Sequence, residues 1–568
     1  MEEEMDERPW QKNYDNGVPF SIEYPPVPLF YFLEKAAEEH PDTPCTIFKG
    51  AKITYREMDA ITDQLAAGLA EIGVKKGDRV GIYMPNTPQF IIAFFGILKA
   101  GGVAVATNPL YSAREIEHQV NDSGLEVMLV MSNFYKMIKE VQPKTKIRTV
   151  VVTNIKEGLP PILSFLFGLT KEKKGGFKVE LSQGDIWMKD LIEKHKPGDR
   201  PKLDIGPDDV ALFQYSGGTT GVSKGVIAVH RNLVANTLQI RYWMTNCNDG
   251  NEVTLMAIPL FHVYGLVAGM CFSVRAASSM VMIPNPRDIA DVLESIQKYK
   301  ASIYPGVPTM YNAINNHPDV KAKKYDLSTI KGCISGSAPL MLETKEKFEG
   351  LTGGKLVEGF GMSETPTATH CNPLFGKNPP GSIGLPLSDV DARIISLDDE
   401  VTVLGPGEIG ELVVKGPQVM VGYHNMPTET ANTLRDGWLY TGDIARMDEE
   451  GFFYIVDRKK ELIKPGGYQV WPREVEEVLV THPKVLEAGV AGVPDPYRGE
   501  TVKAWLVLKS GETATEEEIK EFCADKLAKF KIPTHVEFRN ELPKTTVGKI
   551  LRRELVRQHK EAEAQKPA

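Results

Sequence analysis

Cysteine is scarce in this chain of 568 residues, and its six copies are scattered without a CxxC pair. A disulfide framework and a cysteine-based metal cluster are therefore not expected, and a reducing, cytoplasmic location is predicted. The acidic start MEEEMDERPW lacks the basic and then apolar order of a signal peptide. No run of about 18 uncharged apolar residues occurs, so a membrane-spanning helix is not expected.

An excess of positive charge is also absent. The 66 lysines and arginines are outnumbered by 75 acidic residues, which gives a net charge of −9. A general nucleic-acid binder carries a basic footprint, so nucleic acid is not an expected partner. The hydrophobic share of 42% is ordinary for a globular protein, and the length predicts several domains.

Residues 215–225, YSGGTTGVSKG, combine glycines and hydroxyl residues with one lysine. In the common nucleotide loop, Gly directly precedes Lys and Ser or Thr follows it, whereas here Ser223 precedes Lys224. The apolar residues 210–213 predict a strand that enters the loop. Unobstructed backbone N–H groups, hydroxyls and one mobile cation suit a polyphosphate. The alternative is a glycine-rich surface turn.

The apolar pattern predicts an α/β fold. Helices are predicted by spacing over residues 29–40, 53–72, 90–100 and 289–299. Strands are predicted over residues 77–84, 102–106, 254–260 and 301–304, and residues 332–340 form a strand that breaks into a turn of small residues. Because strands and helices alternate, a largely parallel sheet is expected. Residues 393–421 indicate antiparallel strands, and a separate small domain is predicted after Asp457.

Residues 159–169, LPPILSFLFGL, are apolar and are followed at once by a lysine-rich turn. A segment this short cannot span a bilayer, which needs about 20 residues. It can insert into one side of a bilayer beside a basic anchor. Peripheral membrane contact through residues 159–174 is therefore one prediction. A core segment flanked by a solvated turn explains the pattern equally well.

Four further stretches carry side chains suited to chemistry. His262 follows a predicted strand in FHVYG, and Glu364 follows two glycines in EGFGMSE. Glutamate is a natural Mg²⁺ ligand. Asp443 lies in a TGD turn, where a carboxylate could accept ribose hydroxyls, and Lys549 lies in the glycine turn of PKTTVGKILRRE. Taken alone, each has a plain alternative: a structural histidine, a solvated turn or a surface charge.

Together and in this order, the five stretches resemble those of the adenylate-forming superfamily of acyl- and aryl-CoA ligases, luciferases and peptide-synthetase adenylation domains. The resemblance runs from about residue 28 to residue 557, and long-chain fatty acid–CoA ligases share the second glycine of YSGGTTG. It implies a large α/β domain over residues 1–457, with two parallel-type sheets and a small distorted β-barrel. A smaller, mobile α+β domain over residues 458–568 would be hinged near residues 457–460.

The same resemblance implies a two-step reaction that uses ATP, Mg²⁺ and coenzyme A. The carboxylate of a medium- or long-chain fatty acid first attacks the α-phosphate of ATP, which gives acyl-AMP and pyrophosphate. The CoA thiol then attacks acyl-AMP and releases AMP. No protein nucleophile is needed, in agreement with the absence of a recognisable Ser-His-Asp pattern. A homodimer is left open.

The resemblance also implies roles at matching positions. The predicted catalytic residues are Lys549, His262, Thr219 and Glu364, of which Glu364 and Thr219 would bind Mg²⁺. The pyrophosphate would contact Ser216, Gly217, Gly218, Thr219, Thr220 and Lys224. The remaining nucleotide contacts would come from Gly336, Ser337, Ala338, Pro339, Glu358, Gly359, Phe360, Ser363, Asp443 and Arg458. Lys460 would be the hinge, and the thioester step would use Lys464, Gly466, Gly467 and Gln469. The acyl pocket would be lined by Tyr264, Val307, Pro308, Thr309, Gly336 and Gly361.

Two departures from the family pattern bear on this interpretation. Ser223 stands where most relatives have proline, and Gly466 stands where luciferases carry a second lysine, which argues against a luciferase. An aryl- or short-chain acid–CoA ligase of the same superfamily is the nearest alternative. A nucleotide-binding partner protein without turnover is a more distant one.

Overall fold

The computed structural model describes residues 8–216, 223–465, 468, 470–496, 498–545 and 548–564. These residues form two compact units. The large unit consists of Trp10–Asp391 and Lys415–Gly437. The small unit consists of the described parts of Met1–Pro9, Ala392–Val414 and Trp438–Ala568.

The strands and helices account for most of the described chain. The strands are β1 (Pro44–Phe48), β2 (Ala51–Thr54), β3 (Arg79–Tyr83), β4 (Val103–Ala106), β5 (Val127–Met131), β6 (Thr149–Thr153), β7 (Ile186–Trp187), β8 (Val210–Ser216), β9 (Lys224–Val229), β10 (Val253–Met256), β11 (Ser279–Met282), β12 (Gly332–Ser335), β13 (Lys355–Phe360), β14 (His370–Cys371), β15 (Leu385–Pro386), β16 (Asp391–Ile395), β17 (Gly410–Lys415), β18 (Gly422–Tyr423), β19 (Leu434–Arg435), β20 (Trp438–Met447), β21 (Phe453–Arg458), β22 (Val485–Asp495), β23 (Gly499–Leu508) and β24 (His535–Phe538). The helices are α1 (Tyr31–Glu39), α2 (Tyr55–Glu71), α3 (Pro88–Lys99), α4 (Ala113–Ser123), α5 (Tyr135–Val141), α6 (Pro161–Thr170), α7 (Met188–Glu193), α8 (His230–Trp243), α9 (Phe272–Arg275), α10 (Ile289–Tyr299), α11 (Pro308–Asn316), α12 (Pro318–Lys321), α13 (Leu342–Thr352), α14 (Pro427–Thr433), α15 (Pro472–Val480), α16 (Glu516–Ala524) and α17 (Arg552–Ala564).

The main sheet of the large unit has the strand order β18-β9-β8-β4-β3-β5-β6-β7. The strands from β8 to β7 in this order run parallel, whereas β9 and β18 are antiparallel to their neighbours. A second sheet has the order β10-β11-β1-β2, and a third has the order β12-β13-β14-β15. The predicted α/β class with largely parallel sheets is confirmed.

Helices α2 and α3 show how local sequence builds this unit. Thr54 accepts the N–H of Glu57, and the Glu57 carboxylate accepts the N–H of Thr54, so a capping box starts α2. Every residue of α3 is buried, which places this helix inside the layers. Its last residue, Lys99, contacts Asp59 and Asp63 at 2.6 and 2.7 Å. The buried charge is therefore paired, as burial requires.

The small unit contains an antiparallel sheet in which β20 pairs with β17 on one side and β21 on the other. A second sheet has the order β22-β23-β24. Alternate residues of β23 face two cores: Val502, Ala504 and Leu506 pack in one, and Trp505 and Val507 in the other. A smaller α+β C-terminal domain was predicted, and the small unit has this class, but it also contains residues 392–414 and 438–457, which were predicted to belong to the large domain.

One predicted strand is shorter than expected. Residues 254–260 were expected to be extended throughout, but β10 ends at Met256. Beyond this point the Asn86 side chain supplies the hydrogen bonds, since its amide donates to the carbonyls of Met256 and Ile258 at 3.0 and 2.8 Å. It also accepts the N–H of Leu260 at 2.9 Å. The Asn86 side chain thus makes hydrogen bonds to this segment that a neighbouring strand would otherwise make.

A second predicted strand, over residues 301–304, is reduced to isolated bridges. Ile303 pairs with Thr254 on one side and with Gly332 on the other. Pro305 follows closely and has no N–H to donate, so the ladder is interrupted there and resumes as a single bridge between Gly306 and Ser335. The segment nevertheless lies where a parallel strand between β10 and β12 would lie.

The apolar segment 159–169 forms helix α6, and none of the residues of this helix is buried. The alternative of a core segment is therefore wrong. Among the described helices, none combines the length and apolarity needed to cross a membrane.

Candidate active site

The described ends of the glycine-rich stretch belong to a hairpin in the main sheet of the large unit. Strands β8 and β9 are antiparallel, and Ser216 pairs with Lys224 across them. The predicted strand ahead of the loop is present. The predicted pyrophosphate contacts between these ends, together with the side chain of Ser216, lie outside the described residues: Gly217, Gly218, Thr219 and Thr220.

Among the described residues of the large unit, Lys224 lies close to Glu429 and Tyr423. Its ammonium lies 2.5 Å from a carboxylate oxygen of Glu429 and 5.1 Å from the ring centroid of Tyr423. The Lys224 side chain is 15% exposed, whereas that of Glu429 is 47% exposed. Both neighbours come from the segment Lys415–Gly437, about two hundred residues further along the chain.

Tyr423 also reaches the predicted magnesium ligand. Its hydroxyl donates to Glu364 Oε1 at 2.8 Å. Burial, followed by the charge of Glu364, raises the pKa of Tyr423 above its ordinary value, so the hydroxyl keeps its proton. Pairing with Val226 of β9 fixes Tyr423, and the N–H of Met420 donates to the Glu364 carbonyl at 2.8 Å. Glu364 is therefore oriented through both its side chain and its backbone.

Glu364 fits a magnesium ion that is shared with phosphates. Within the described residues no group of three or more His, Cys, Asp or Glu could by itself enclose a metal. Mg²⁺ in nucleotide sites takes one or two protein ligands, and the other ligands are phosphate and water oxygens. The half-buried, oriented carboxylate of Glu364 meets that requirement. The other predicted ligand, Thr219, lies outside the described residues.

A cavity of about 590 Å³, counting its open mouth, lies in the large unit. It brings together predicted positions from three stretches: His262, Tyr264, Gly336, Ser337, Gly359, Phe360 and Gly361. Much of the remaining lining is apolar or aromatic and includes Trp243, Ile334, Met362 and Leu387. Such a cavity can enclose a hydrophobic group next to a few polar atoms.

His262 is one of two histidines, with His370, that line this cavity. Burial lowers its pKa to about 4, so the imidazole is neutral at pH 7. The N–H of Tyr264 donates to its Nδ1 at 3.3 Å. The ring proton is thereby assigned to Nε2, which is a hydrogen-bond donor.

Neighbouring atoms lie so close to two glycines of the cavity that an added side chain would crowd them. The Tyr264 ring forms one wall, and its hydroxyl donates to the Ile334 carbonyl at 2.5 Å. A Cβ at Gly336 would lie 3.2 Å from the Tyr264 ring, and a Cβ at Gly361 would lie 1.3 Å from the Thr367 carbonyl oxygen. Gly361 in particular cannot be replaced without a shift of the backbone.

Glu358 contacts the end of the turn 336–340, which contains four of the positions predicted to contact the nucleotide. Its buried carboxylate accepts the N–H of Leu340 at 2.9 Å. Within this turn Ser337 has a φ of 69°, and Ser337 and Pro339 are exposed while Ala338 is half-buried. Glu358 thus holds the turn in its shape. Ser363 is half-buried in the turn after β13.

In the small unit, three predicted residues converge. The pairing of β20 with β21 sets Asp443 opposite Arg458, and Asp443 Oδ1 lies 2.6 Å from Arg458 Nε. Asp443 is only 2% exposed. Part of Lys549 remains exposed, yet protein atoms crowd its ammonium: burial and then the charge of Arg458 lower the pKa of Lys549, while Asp443 opposes this.

The predicted hinge contains one anchored and one exposed lysine. Lys459 contacts Glu400 and Glu411 at 2.6 and 2.7 Å. Lys460 is exposed, as is Lys464, whose N–H donates to Glu500. The other positions predicted for the thioester step lie outside the described residues: Gly466, Gly467 and Gln469.

Comparison with known proteins shows the family to which this chain belongs. The family model described as AMP-binding enzyme matches residues 33–424, and the model for the AMP-binding enzyme C-terminal domain matches residues 474–549. The chain belongs to the AMP-binding enzyme family. The predicted resemblance to adenylate-forming acyl-CoA synthetases, which use ATP, Mg²⁺ and CoA, is confirmed.

The relatives of this AMP-binding enzyme match over nearly their whole length. A long-chain-fatty-acid–CoA ligase of Bacillus subtilis (strain 168) is 44% identical over 98% of this chain and 99% of the relative. That of Yersinia pestis is 39% identical, over 97% and 98%. The structure of ATP-bound MatB from Rhodopseudomonas palustris matches with a TM-score of 0.81 at 28% identity, covering 94% and 100%. An anthranilate CoA ligase in complex with anthranoyl-AMP matches with a TM-score of 0.82 at 26% identity, covering 95% and 98%.

Some predicted positions of the AMP-binding enzyme do not line the cavity, and other residues were missed. Val307, Pro308 and Thr309 form the start of α11 and are not among the residues that line the cavity described above. Tyr423 and Glu429 were not singled out from the sequence. Tyr423 reaches Glu364 across 59 residues of chain, and no local spacing signals such a contact.

Proposed function

We propose that this AMP-binding enzyme is a fatty acid–CoA ligase that prefers medium or long chains. It forms acyl-AMP and pyrophosphate from a fatty acid and ATP, and then transfers the acyl group to CoA with release of AMP. The main support for the proposal is the largely apolar cavity that is lined by the neutral imidazole of His262. An apolar wall favours each buried CH₂ by about 0.8 kcal/mol. The Nε2–H of His262 can donate to a carboxylate or phosphate oxygen without adding charge.

In this proposal the site catalyses the reaction by positioning the substrates and by neutralising phosphate charge with cations. Lys224, together with the loop residues 216–220, would contact the departing pyrophosphate. Glu364 and Thr219 would hold Mg²⁺, which when bound neutralises charge on phosphate oxygens. Asp443 and Arg458 would hold the ribose, and Lys549 would bridge carboxylate and α-phosphate oxygens. Preorganised donors and charges supply most of the catalysis in such reactions, so no protein nucleophile is needed.

The two half-reactions would require a conformational change. Lys549 must withdraw before CoA can enter, so we place a hinge near residues 457–460, between domains over residues 1–457 and 458–568. The exposed side chain of Lys460, next to the anchored Lys459, supports a hinge at this point. Lys464, Gly466, Gly467 and Gln469 would serve the thioester step.

Release of AMP over a panel of acids from acetate to oleate, with and without CoA, tests the proposal. We expect CoA-dependent AMP release that increases from acetate towards the longer chains. Benzoate is added to the panel as an aryl acid, and a maximum at benzoate or acetate would favour the aryl- or short-chain acid ligase. Absence of both AMP release and ATP–pyrophosphate exchange with every acid would leave only a nucleotide-binding partner protein.

We also propose that helix α6 docks on a membrane surface. Five of its large apolar side chains are exposed: Ile162, Leu163, Phe165, Leu166 and Leu169. At 3.6 residues per turn they occupy about 160° of the helix circumference, so they form one continuous face. A contiguous exposed apolar face on a globular protein marks an interaction surface.

The charge beside α6 favours an anionic bilayer as the partner. Lys171, Lys173 and Lys174 are exposed. Glu172, which lies among them, is buried, and its carboxylate is 2.6 Å from the ammonium of Lys156. Because that negative charge is neutralised inside, the turn presents net positive charge next to the apolar face. A membrane is also where long-chain fatty acids partition.

A variant with both Phe165→Ser and Leu169→Ser is expected to float at least about tenfold less with vesicles of phosphatidylglycerol and phosphatidylcholine. Each apolar side chain contributes about 1.5–3 kcal/mol when fully buried. The control is Phe375→Ser, which changes a side chain that is 58% exposed elsewhere in the large unit. Equal flotation of wild type and double variant, or none from either, would remove the membrane proposal.

A further inference from the structure

The lysine of the glycine-rich stretch already has an anionic partner. Lys224 and Glu429 lie 2.5 Å apart, and Lys224 also lies over the ring of Tyr423. An ammonium has three N–H groups, so geometry alone would allow it to contact a carboxylate and a phosphate together. Two anions on one cation repel each other, however, and more strongly in a partly buried site than in water.

The two partners differ in their freedom to move. Lys224 begins β9, its side chain is largely buried, and the Tyr423 ring lies against it. Tyr423 is fixed in turn by its bond to Glu364 and by strand pairing. Glu429 lies in the first turn of α14 and is half exposed, so it can rotate into water. If the ion pair opens, Glu429 is the side chain that leaves.

We propose that Glu429 is a displaceable counter-ion of Lys224. It neutralises and positions the ammonium before the nucleotide binds, and it gives up the ion pair to a phosphate of ATP. The proposal rests on the role proposed above for Lys224. Glu429 is thus a positioning residue that lowers affinity for ATP and, by the same competition, favours the release of pyrophosphate.

Glu429→Gln is expected to bind ATP and pyrophosphate about two- to fivefold more tightly than the wild type, because a partly exposed ion pair of this kind no longer has to be broken. Isothermal titration calorimetry of the full-length protein, with each ligand in the presence of Mg²⁺, measures this. The difference between variant and wild type should shrink at high salt. Glu429→Asp, whose carboxylate is one CH₂ shorter, should shift both affinities in the same direction.

A matched control exists in the same unit. Asp291 occupies the same position in the first turn of α10 as Glu429 does in α14, and its carboxylate is 2.6 Å from the ammonium of Lys49. Asp291→Asn removes an equivalent charge and should leave both affinities unchanged. Lys224→Gln should weaken ATP binding, and adding Glu429→Gln to it should bring no gain, as a double-mutant cycle requires.

The outcomes separate this proposal from the function on which it rests. If Lys224→Gln weakens binding of ATP but Glu429→Gln and Glu429→Asp bind it no more tightly than the wild type, the counter-ion proposal is wrong and the role of Lys224 stands. If Lys224→Gln leaves binding of ATP and pyrophosphate unchanged, the proposed role of Lys224 is wrong, and the counter-ion proposal falls with it.

Discussion

Lys549→Ala is expected to slow acyl-AMP formation at least about a hundredfold, the scale of removing one charge-stabilising donor from a transition state. Thioester formation from supplied acyl-AMP should be largely retained. Lys549 lies within electrostatic reach of Asp443 and Arg458, the pair proposed to hold the ribose. Pyrophosphate release measures the first half-reaction, and acyl-CoA formation from synthetic acyl-AMP measures the second.

Lys544→Ala is the matched control for this prediction. Lys544 belongs to the same stretch, is exposed, and pairs with Glu487, so its loss should leave both half-reactions near the wild-type rate. Equal loss of both half-reactions in Lys549→Ala would contradict a catalytic lysine that serves only one of two conformations.

The alkaline limb of the pH profile gives a second readout of the same residue. Burial and the charge of Arg458 lower the pKa of Lys549, so its positive charge is lost at a lower pH than that of an ordinary lysine. Acyl-AMP formation should therefore decline as pH rises through this lowered pKa. In Lys549→Arg the charge persists, and any residual activity should hold to higher pH.

Local signals predicted the elements well where the physics is local. The expected helix over residues 289–299 coincides with α10, because the apolar spacing lies within the helix and its cap, Asp288, directly precedes it. The expected strand over residues 254–260 was too long, because its end is set by Asn86, far away in sequence. Sequence spacing carries no information on such a contact.

For the candidate site, too, local motifs could be predicted from the sequence, whereas long-range contacts could not. The stretches around His262, Gly336 and Gly361, which were singled out from the sequence, meet at one cavity. Tyr423 and Glu429 were missed, because their contacts with Glu364 and Lys224 join residues that are far apart in the chain. For α6 the sequence left core and membrane equally open. Only the fold decides whether another element covers a helix, and here none of its residues is buried.

Arg552→Gln is expected to destabilise the small unit by about 3–5 kcal/mol, the cost of breaking a buried ion pair. Arg552 begins α17 and lies 3.1 Å from Asp457 and 2.6 Å from Glu476, and it also contacts Glu461. Asp457 is 1% exposed on its side chain. Without the guanidinium, three carboxylates would remain close together in a medium that solvates them poorly.

Hydrogen exchange of the full-length enzyme measures this effect locally, since amides of α15 and β22 should lose protection in Arg552→Gln. Arg557→Gln is the control: Arg557 lies on the same helix and contacts Glu554 and Glu561, but its side chain is 55% exposed, so protection should persist. Unchanged protection in both variants would contradict a structural role.

Because Arg552 follows Lys549 by three residues and binds Asp457 at the proposed hinge, the loss of protection should be accompanied by slower acyl-AMP formation. Slower acyl-AMP formation with intact protection would instead mean that Arg552 only positions Lys549.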